Sequence, residues 1–362
     1  MEQINSKKDI FVILFTALAV VALSFFFSGV NMNIDGQSYV DQITNFSNGN
    51  FFEGGRSFKP LYGLAGLFLT KIFFLTPEYS IVLMNVFFLF ALGLAFYSLL
   101  KKLEFDSASA VWGSAWLITG YPVLKYGLAV STDISGWFFA TLSVLLFLMF
   151  FDKIHGAKLA FATLSIFLGA ISKETGMAGL IFILAWAVLK KPRLTWSEWG
   201  RLAGYIFIPF VVLYVFWVGV LYNNGAITLV DFFKSNISDY SATNYRSFFY
   251  FIFVELATFG LLLPYAAFGL TRLLKKNDRN FYVLFLALAI SVIPVFFWPI
   301  FISRILYIQF LVILPLALLG TSDVLKGSFG SVPKWAIGLL PVVLNVSLYI
   351  ISNGGSLFDL LK

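Results

Sequence analysis

An all-α, polytopic membrane fold of about 11 spans is what this chain predicts, and three observations carry the prediction. Apolar residues fill 60% of the 362 positions and charged ones 12%, with a mean hydropathy of +0.89, more apolar surface than a soluble domain can bury. Phe- and Leu-rich runs recur along the whole length with no linker between them, so residues 1–362 read as a single transmembrane domain. Most of the 25 Lys and Arg residues sit in short intervals between those runs. That pattern sets membrane orientation, and it makes the net charge of +7 a topology signal instead of a nucleic-acid one.

The first run, 10–30, is too long for the core of a cleavable signal peptide, and Phe25-Phe26-Phe27 offers no small-residue cleavage site. Further runs fall at 79–100, 107–124, 132–151, 157–172, 175–189, 202–222, 247–271, 281–301, 304–322 and 333–352. With the N-terminus cytoplasmic, Lys7, Lys8, Lys101, Lys102, Lys190, Lys191 and Arg193 stay inside. The plasma (inner) membrane is the expected location, with loops 31–78 and 223–246 on its external or periplasmic side. Segment 61–75 is apolar, but if it spanned, Lys101-Lys102 would be exported; it is therefore expected to lie as an interfacial helix.

The longest polar interval, Asn31 to Tyr62, combines acid, base and aromatic residues. Asp35 and Tyr39 are spaced to share one face of a helix over Gly36 to Phe46. A turn from Gly49 to Gly55 then brings Arg56, Lys59 and Pro60 back to the bilayer surface. The second loop carries Asp231, Lys234, Asp239, Tyr240, Tyr245 and Arg246. Between two short runs, Ser172-Lys173-Glu174-Thr175 forms a charged hairpin tip that needs a water-filled cavity, since charge in lipid is costly.

These residue types limit the chemistry. With no Cys and only His155, the chain has no disulfide, thiolate nucleophile or His-rich metal site. No tightly bound metal or cofactor is expected; a divalent cation would have carboxylates and water as ligands. Asp35 is the leading candidate for a general base, against a plain role as helix N-cap. Asp133, opening the run 132–151, is the second catalytic candidate, with Thr132 and Asp133 as caps in the plain reading. Lys59, Lys173 and Arg304 are the outward cations nearest to apolar runs and suit a phosphate at the membrane surface; snorkelling is their alternative. Tyr39, Tyr62, Glu174 and Glu255 are read as cavity-lining, Glu255 because an acid within a span faces protein or water.

Several of these stretches resemble the GT-C superfamily of membrane glycosyltransferases, in particular the lipid A aminoarabinose and protein O-mannosyl transferase branch. Asp35-Gly36-Gln37-Ser38-Tyr39, followed by Phe58-Lys59-Pro60-Leu61-Tyr62, is similar to the first external loop of that branch. Thr132-Asp133, Ser172-Lys173-Glu174-Thr175-Gly176 and Ser303-Arg304-Ile305-Leu306 resemble three later motifs in the same order. The acid pair of the family's loop is reduced to Ile34-Asp35, and its paired prolines to Pro60. The resemblance implies a polyprenyl-phosphate sugar as donor, its phosphate near Lys59, Lys173 and Arg304, and Asp35 as base for inverting displacement. The acceptor would be a glycan, lipid or protein at the lipid bilayer, with no nucleic acid involved.

Two other functions fit a basic polar cavity in a membrane. A transporter or flippase of a lipid-linked or anionic solute would show corresponding broken or charged segments in two halves, and no such symmetry is visible. A polymerase or ligase of lipid-linked polysaccharide places its large loop late, whereas here it comes first.

Overall fold

The computed structural model describes residues 2–32, 35–151, 156–190, 194–240, 248–275, 278–298, 301–326 and 334–353. Ile34, His155, Tyr245 and Arg246 lie outside the described residues. In chain order the helices are α1 (Glu2–Ser28), α2 (Gly36–Ser47), α3 (Pro60–Phe73), α4 (Pro77–Lys102), α5 (Ser107–Ile118), α6 (Asp133–Phe150), α7 (Gly156–Ala170) and α8 (Ala178–Lys190). There follow α9 (Trp196–Leu202), α10 (Ile208–Asn223), α11 (Leu229–Tyr240), α12 (Phe248–Phe259), α13 (Leu262–Lys275), α14 (Arg279–Val292), α15 (Ser303–Leu306), α16 (Phe310–Lys326) and α17 (Lys334–Asn353).

Local chemistry sets many of these boundaries. Helices α3 and α4 open on proline, whose missing N–H costs nothing in a first turn. The Asp106 carboxylate accepts from Ser109 N at 2.9 Å to start α5, and Thr195 with Glu198 forms a capping box at α9. At the other end of α4, Glu104 takes a left-handed turn, φ 66°, just past Lys101-Lys102.

Among the described residues, seven stretches are long and apolar enough to cross a bilayer: Lys7–Ser28, Pro77–Lys102, Asp133–Phe150, Trp196–Asn223, Arg279–Phe297, Ser303–Thr321 and Trp335–Ser352. An eighth results if α12 and α13, bent by 91° across Gly260, count as one. The chain is thus an all-α integral membrane protein. The eleven expected spans differ chiefly at 107–124, 157–172 and 175–189. There α5, α7 and α8 have 12, 15 and 13 residues. At about 1.5 Å per residue none reaches the ~30 Å of a hydrocarbon core. Apolar composition had extended the run 107–124 through Gly120-Tyr121-Pro122, where the backbone breaks, and the two runs flanking the Lys173 tip were counted as spans although each is short. Helix α3, with 14 residues, is also below spanning length, as an interfacial helix should be.

Helix α6 sits at the centre, packed on α4, α7 and α8, with Trp137 and Phe147 fully buried. Helices α13 and α16 approach closest at Gly269 and Gly320, where a Cβ on Gly269 would collide with the Leu316 carbonyl. Around this interior, Val211, Val212, Val215 and Phe216 of α10 and Phe248, Phe249 and Phe253 of α12 remain exposed, an arrangement stable only with lipid as the solvent.

Candidate active site

Two acids far apart in sequence are brought together by backbone. Met32 and Val130 form a parallel bridge, with Val130 N donating to Asn31 O at 2.8 Å. Each bridge residue lies three positions before an acid, Asp35 or Asp133. Asn85, a polar residue inside α4, fixes the second strand of this junction. Its Nδ2 donates to Ala129 O at 2.7 Å and Ser131 O at 3.0 Å, and its Oδ1 accepts from the Tyr62 hydroxyl at 2.7 Å.

Around the acids stand four cations. Arg56 pairs with Asp35 at 2.7 Å, and Arg304 reaches Asp35 at 2.9 Å and Asp133 at 3.5 Å. Lys173 pairs with Asp133 at 3.0 Å, and Lys59 is in contact with Glu174. Four positive and three negative groups leave a buried surplus of positive charge. Lys173 is placed by close packing, since a Cβ on Gly136 would sit 2.8 Å from its own Cβ. Beyond its pairing with Glu174, the Lys59 ammonium finds no hydrogen-bond acceptor among the described residues, although Lys59 is only 1% exposed. A buried ammonium with unused donors is costly, and an anion would satisfy it.

The fields act strongly on the loop carboxylates. Burial alone would raise Asp35, but Lys173, Arg304, Arg56 and Lys59 outweigh it and hold the carboxyl well below the usual range. Glu174 is lowered to about 2 by Lys59 and Lys173, again against burial. Burial lowers Lys59, only partly offset by Glu174, whereas Asp133 and Glu174 raise Lys173 despite its burial.

Tyr39 and Tyr62, expected on a cavity wall, are each 1% exposed and pack beneath the charges. The Tyr39 hydroxyl accepts from Thr132 Oγ1 at 2.8 Å and its ring lies 5.2 Å under Arg56, so hydrogen bonding and cation–π contact draw it inward. Asp35 and Thr132 do precede helices, yet neither side chain caps one; Asp35 spends its oxygens on guanidinium groups. Lys59, Lys173 and Arg304 do not snorkel but point into the protein. The hairpin tip needs no water-filled cavity, because its charges are neutralised by Asp133 and Lys59. Glu174 does line a cavity of ≈ 270 Å³, yet the other walls are mainly apolar, among them Met177, Ile181, Val295, Trp298 and Ile308. Glu255 stands apart: it accepts a hydrogen bond from Gln309 Nε2, and no described ion pair reaches it.

Three residues not singled out from the sequence complete the cluster. Arg56 was visible as loop charge but inseparable from its neighbours. Asn85 is a polar residue within a span, a signal that could have found it. Phe232, on α11 in the second long loop, places its ring 4.9 Å from Arg56 and 5.2 Å from Lys59. Nothing in its sequence context marks it. The Phe58 and Phe232 rings lie 5.1 Å apart, so both long loops meet beside the charges, and Trp217 Nε1 of α10 donates to Phe58 O at 3.3 Å.

A helical membrane scaffold with a buried, net-positive ion cluster under two loops is the class of protein defined here. No known family profile matches the chain, and no curated protein is similar to it in sequence. Solved structures are similar in fold. The Archaeoglobus fulgidus oligosaccharyltransferase tethered to an acceptor peptide with the NVT sequon superposes with a TM-score of 0.66 at 15% identity, covering 100% of this chain and 57% of that one. ArnT from Cupriavidus metallidurans bound to undecaprenyl phosphate gives 0.63 at 16%, covering 91% and 62%. The chain therefore shares the fold of these two proteins, and spans 57–62% of their length.

Proposed function

We propose that this chain is a membrane glycosyltransferase that moves a sugar from a polyprenyl-phosphate donor to an acceptor hydroxyl, with inversion, on the non-cytoplasmic face of the plasma (inner) membrane. The observation that carries the reading is the juxtaposition at Glu174 and Thr175 of a net-positive buried cluster with an apolar cavity of ≈ 270 Å³. A lipid phosphate needs both: fixed cations for the head and an apolar slot for the first prenyl units. The fold of ArnT, which binds undecaprenyl phosphate, supports the same donor class.

In this reading Lys59 supplies unused donors to the phosphate, joined by Lys173, Arg304 and Arg56. Asp35 accepts the proton of the acceptor hydroxyl as its oxygen bonds to the anomeric carbon. The bond from that carbon to the phosphate oxygen breaks, and polyprenyl phosphate leaves with its charge on the four cations. At rest Asp35 is too well neutralised to be a strong base. A phosphate that draws Arg56 or Arg304 toward itself loosens those pairs and raises the basicity of Asp35 as the donor binds.

We expect no tightly held divalent cation here. Asp35 and Asp133 share the Arg304 guanidinium, and no group of three or more His, Cys, Asp or Glu capable of holding a metal occurs among the described residues. The test is incubation of purified protein with radiolabelled polyprenyl-phosphate hexoses and pentoses. Donor consumption is expected for one of them; an untouched panel alongside carriage of the intact donor across vesicles favours a flippase.

A further inference from the structure

A second opening is walled in part by the residues that lead into Arg56. Between the Gly49–Gly55 turn and the Asn224–Ile227 segment lies a cleft of ≈ 550 Å³. Its walls carry the amides of Asn50 and Asn224, the Glu53 carboxylate and the rings of Phe51 and Phe52. Asn50 Nδ2 donates to Glu53 Oε2 at 3.1 Å, which places an amide and a carboxylate side by side. Gly55 lines the cleft as well. Its backbone is not left-handed, and a Cβ there would meet nothing within 4 Å. Neither conformation nor packing calls for glycine at this position; what the missing side chain does is leave the cleft open.

We propose that this cleft seats the acceptor, and that the acceptor is a glycan; the proposal rests on the transferase reading above. Adjacent amide and carboxylate groups match pairs of sugar hydroxyls, which both donate and accept, while phenyl rings suit the C–H faces of a pyranose. Position agrees with chemistry. Gly55 is followed directly by Arg56, whose guanidinium pairs with Asp35, so the cleft wall adjoins the cluster along the chain. The apolar cavity beside Glu174 and this polar cleft then give the lipid donor and the water-facing acceptor separate approaches to one set of charges. A peptide would seek backbone pairing along an extended edge, and the cleft walls are turns.

The test uses the full chain in membranes, undecaprenyl-phosphate [3H]hexose as donor probe and a panel of methyl hexosides as acceptor probes. Gly55→Leu fills the cleft and Glu53→Ala, at an exposed site, removes a hydroxyl partner without a folding burden. Both are expected to raise the acceptor KM by roughly tenfold with the donor KM unmoved. Gly200→Leu, also into open space but on α9, is the control. A second arm needs no catalysis: in Glu53→Cys, maleimide labelling should be slowed by the same methyl hexosides. A raised donor KM assigns the cleft to the donor sugar and overturns the proposal, as do unchanged acceptor KM values or labelled product found in protease-sensitive protein. A wild type inactive on every donor removes the transferase reading itself, and failure of methyl hexosides to protect the introduced thiol then removes the cleft too.

Discussion

Arg304 and Asp35 are joined by an ion pair of 2.9 Å, and the same guanidinium reaches Asp133 at 3.5 Å. One side chain from α15 thus sets the separation of two acids that open α2 and α6. Removing it takes one partner from each acid and leaves Asp35 with Arg56 and Asp133 with Lys173. Arg304→Gln is expected to destabilise the protein by roughly 1.5–3 kcal/mol, the worth of a charge-assisted contact. Asp35→Asn should cost less in that background than in wild type, because its pair with Arg304 is already lost. Thermal unfolding of the two single variants and the double variant in detergent measures it, and strictly additive losses would contradict the coupling.

Lys59 is expected to contribute to donor binding through its unused donors. Lys59→Ala should weaken binding of undecaprenyl phosphate by on the order of 1.5–3 kcal/mol, the worth of a charge-assisted contact. Lys71, exposed near the end of α3, is the control and should have no effect. Equal affinities for wild type and Lys59→Ala would return Lys59 to a purely structural pairing with Glu174.

Acid should loosen the site before it unfolds the rest. Asp35 and Glu174 sit below their ordinary values of 3.8 and 4.5 in the folded protein, Glu174 at about 2. Such groups bind fewer protons folded than unfolded, so their stabilisation is full above the ordinary value and is lost as pH falls through the folded one. The melting temperature should therefore decline from about pH 4.5 toward pH 2 and below. Glu174→Gln should flatten part of that decline while lowering stability at neutral pH, where Lys59 loses its partner.

Much of this architecture was legible in the residues. Hydropathy and basic intervals gave the membrane class, because lipid imposes composition directly. Asp35, Lys59, Asp133, Lys173 and Arg304, five residues spread over most of the chain, converge on one cluster. What could not be read is how they pair: Arg304 bridging two acids, or Lys59 meeting Glu174, depends on tertiary approach that no spacing encodes. The count of 11 spans is not confirmed for a related reason, since one apolar run passes through the backbone break at Gly120 and the two beside Lys173 are shorter than a bilayer. Tyr39 and Tyr62 were assigned to a wall because aromatic loop residues suggest one, whereas Thr132 and Asn85 pull their hydroxyls inward.

The two long loops are expected on the non-cytoplasmic side and the Lys102 end of α4 on the other. The chain has no cysteine of its own, so single substitutions report cleanly. Asn48→Cys should react with an impermeant maleimide in intact cells, and Lys102→Cys only after permeabilisation. The reverse pattern would invert the topology and move the cluster to the cytoplasmic face.

Turnover of the donor by Asp35→Asn, set against wild type and Asp133→Asn, tests the central claim most directly. The substitution keeps size and one of the two guanidinium contacts while removing the proton acceptor. Purified protein supplied with the polyprenyl-phosphate sugar that wild type consumes should lose roughly 100-fold or more in kcat with Asp35→Asn. Near-normal turnover in Asp35→Asn with none in Asp133→Asn would move the base to α6, and near-normal turnover in both would contradict the account of this cluster as a catalytic site.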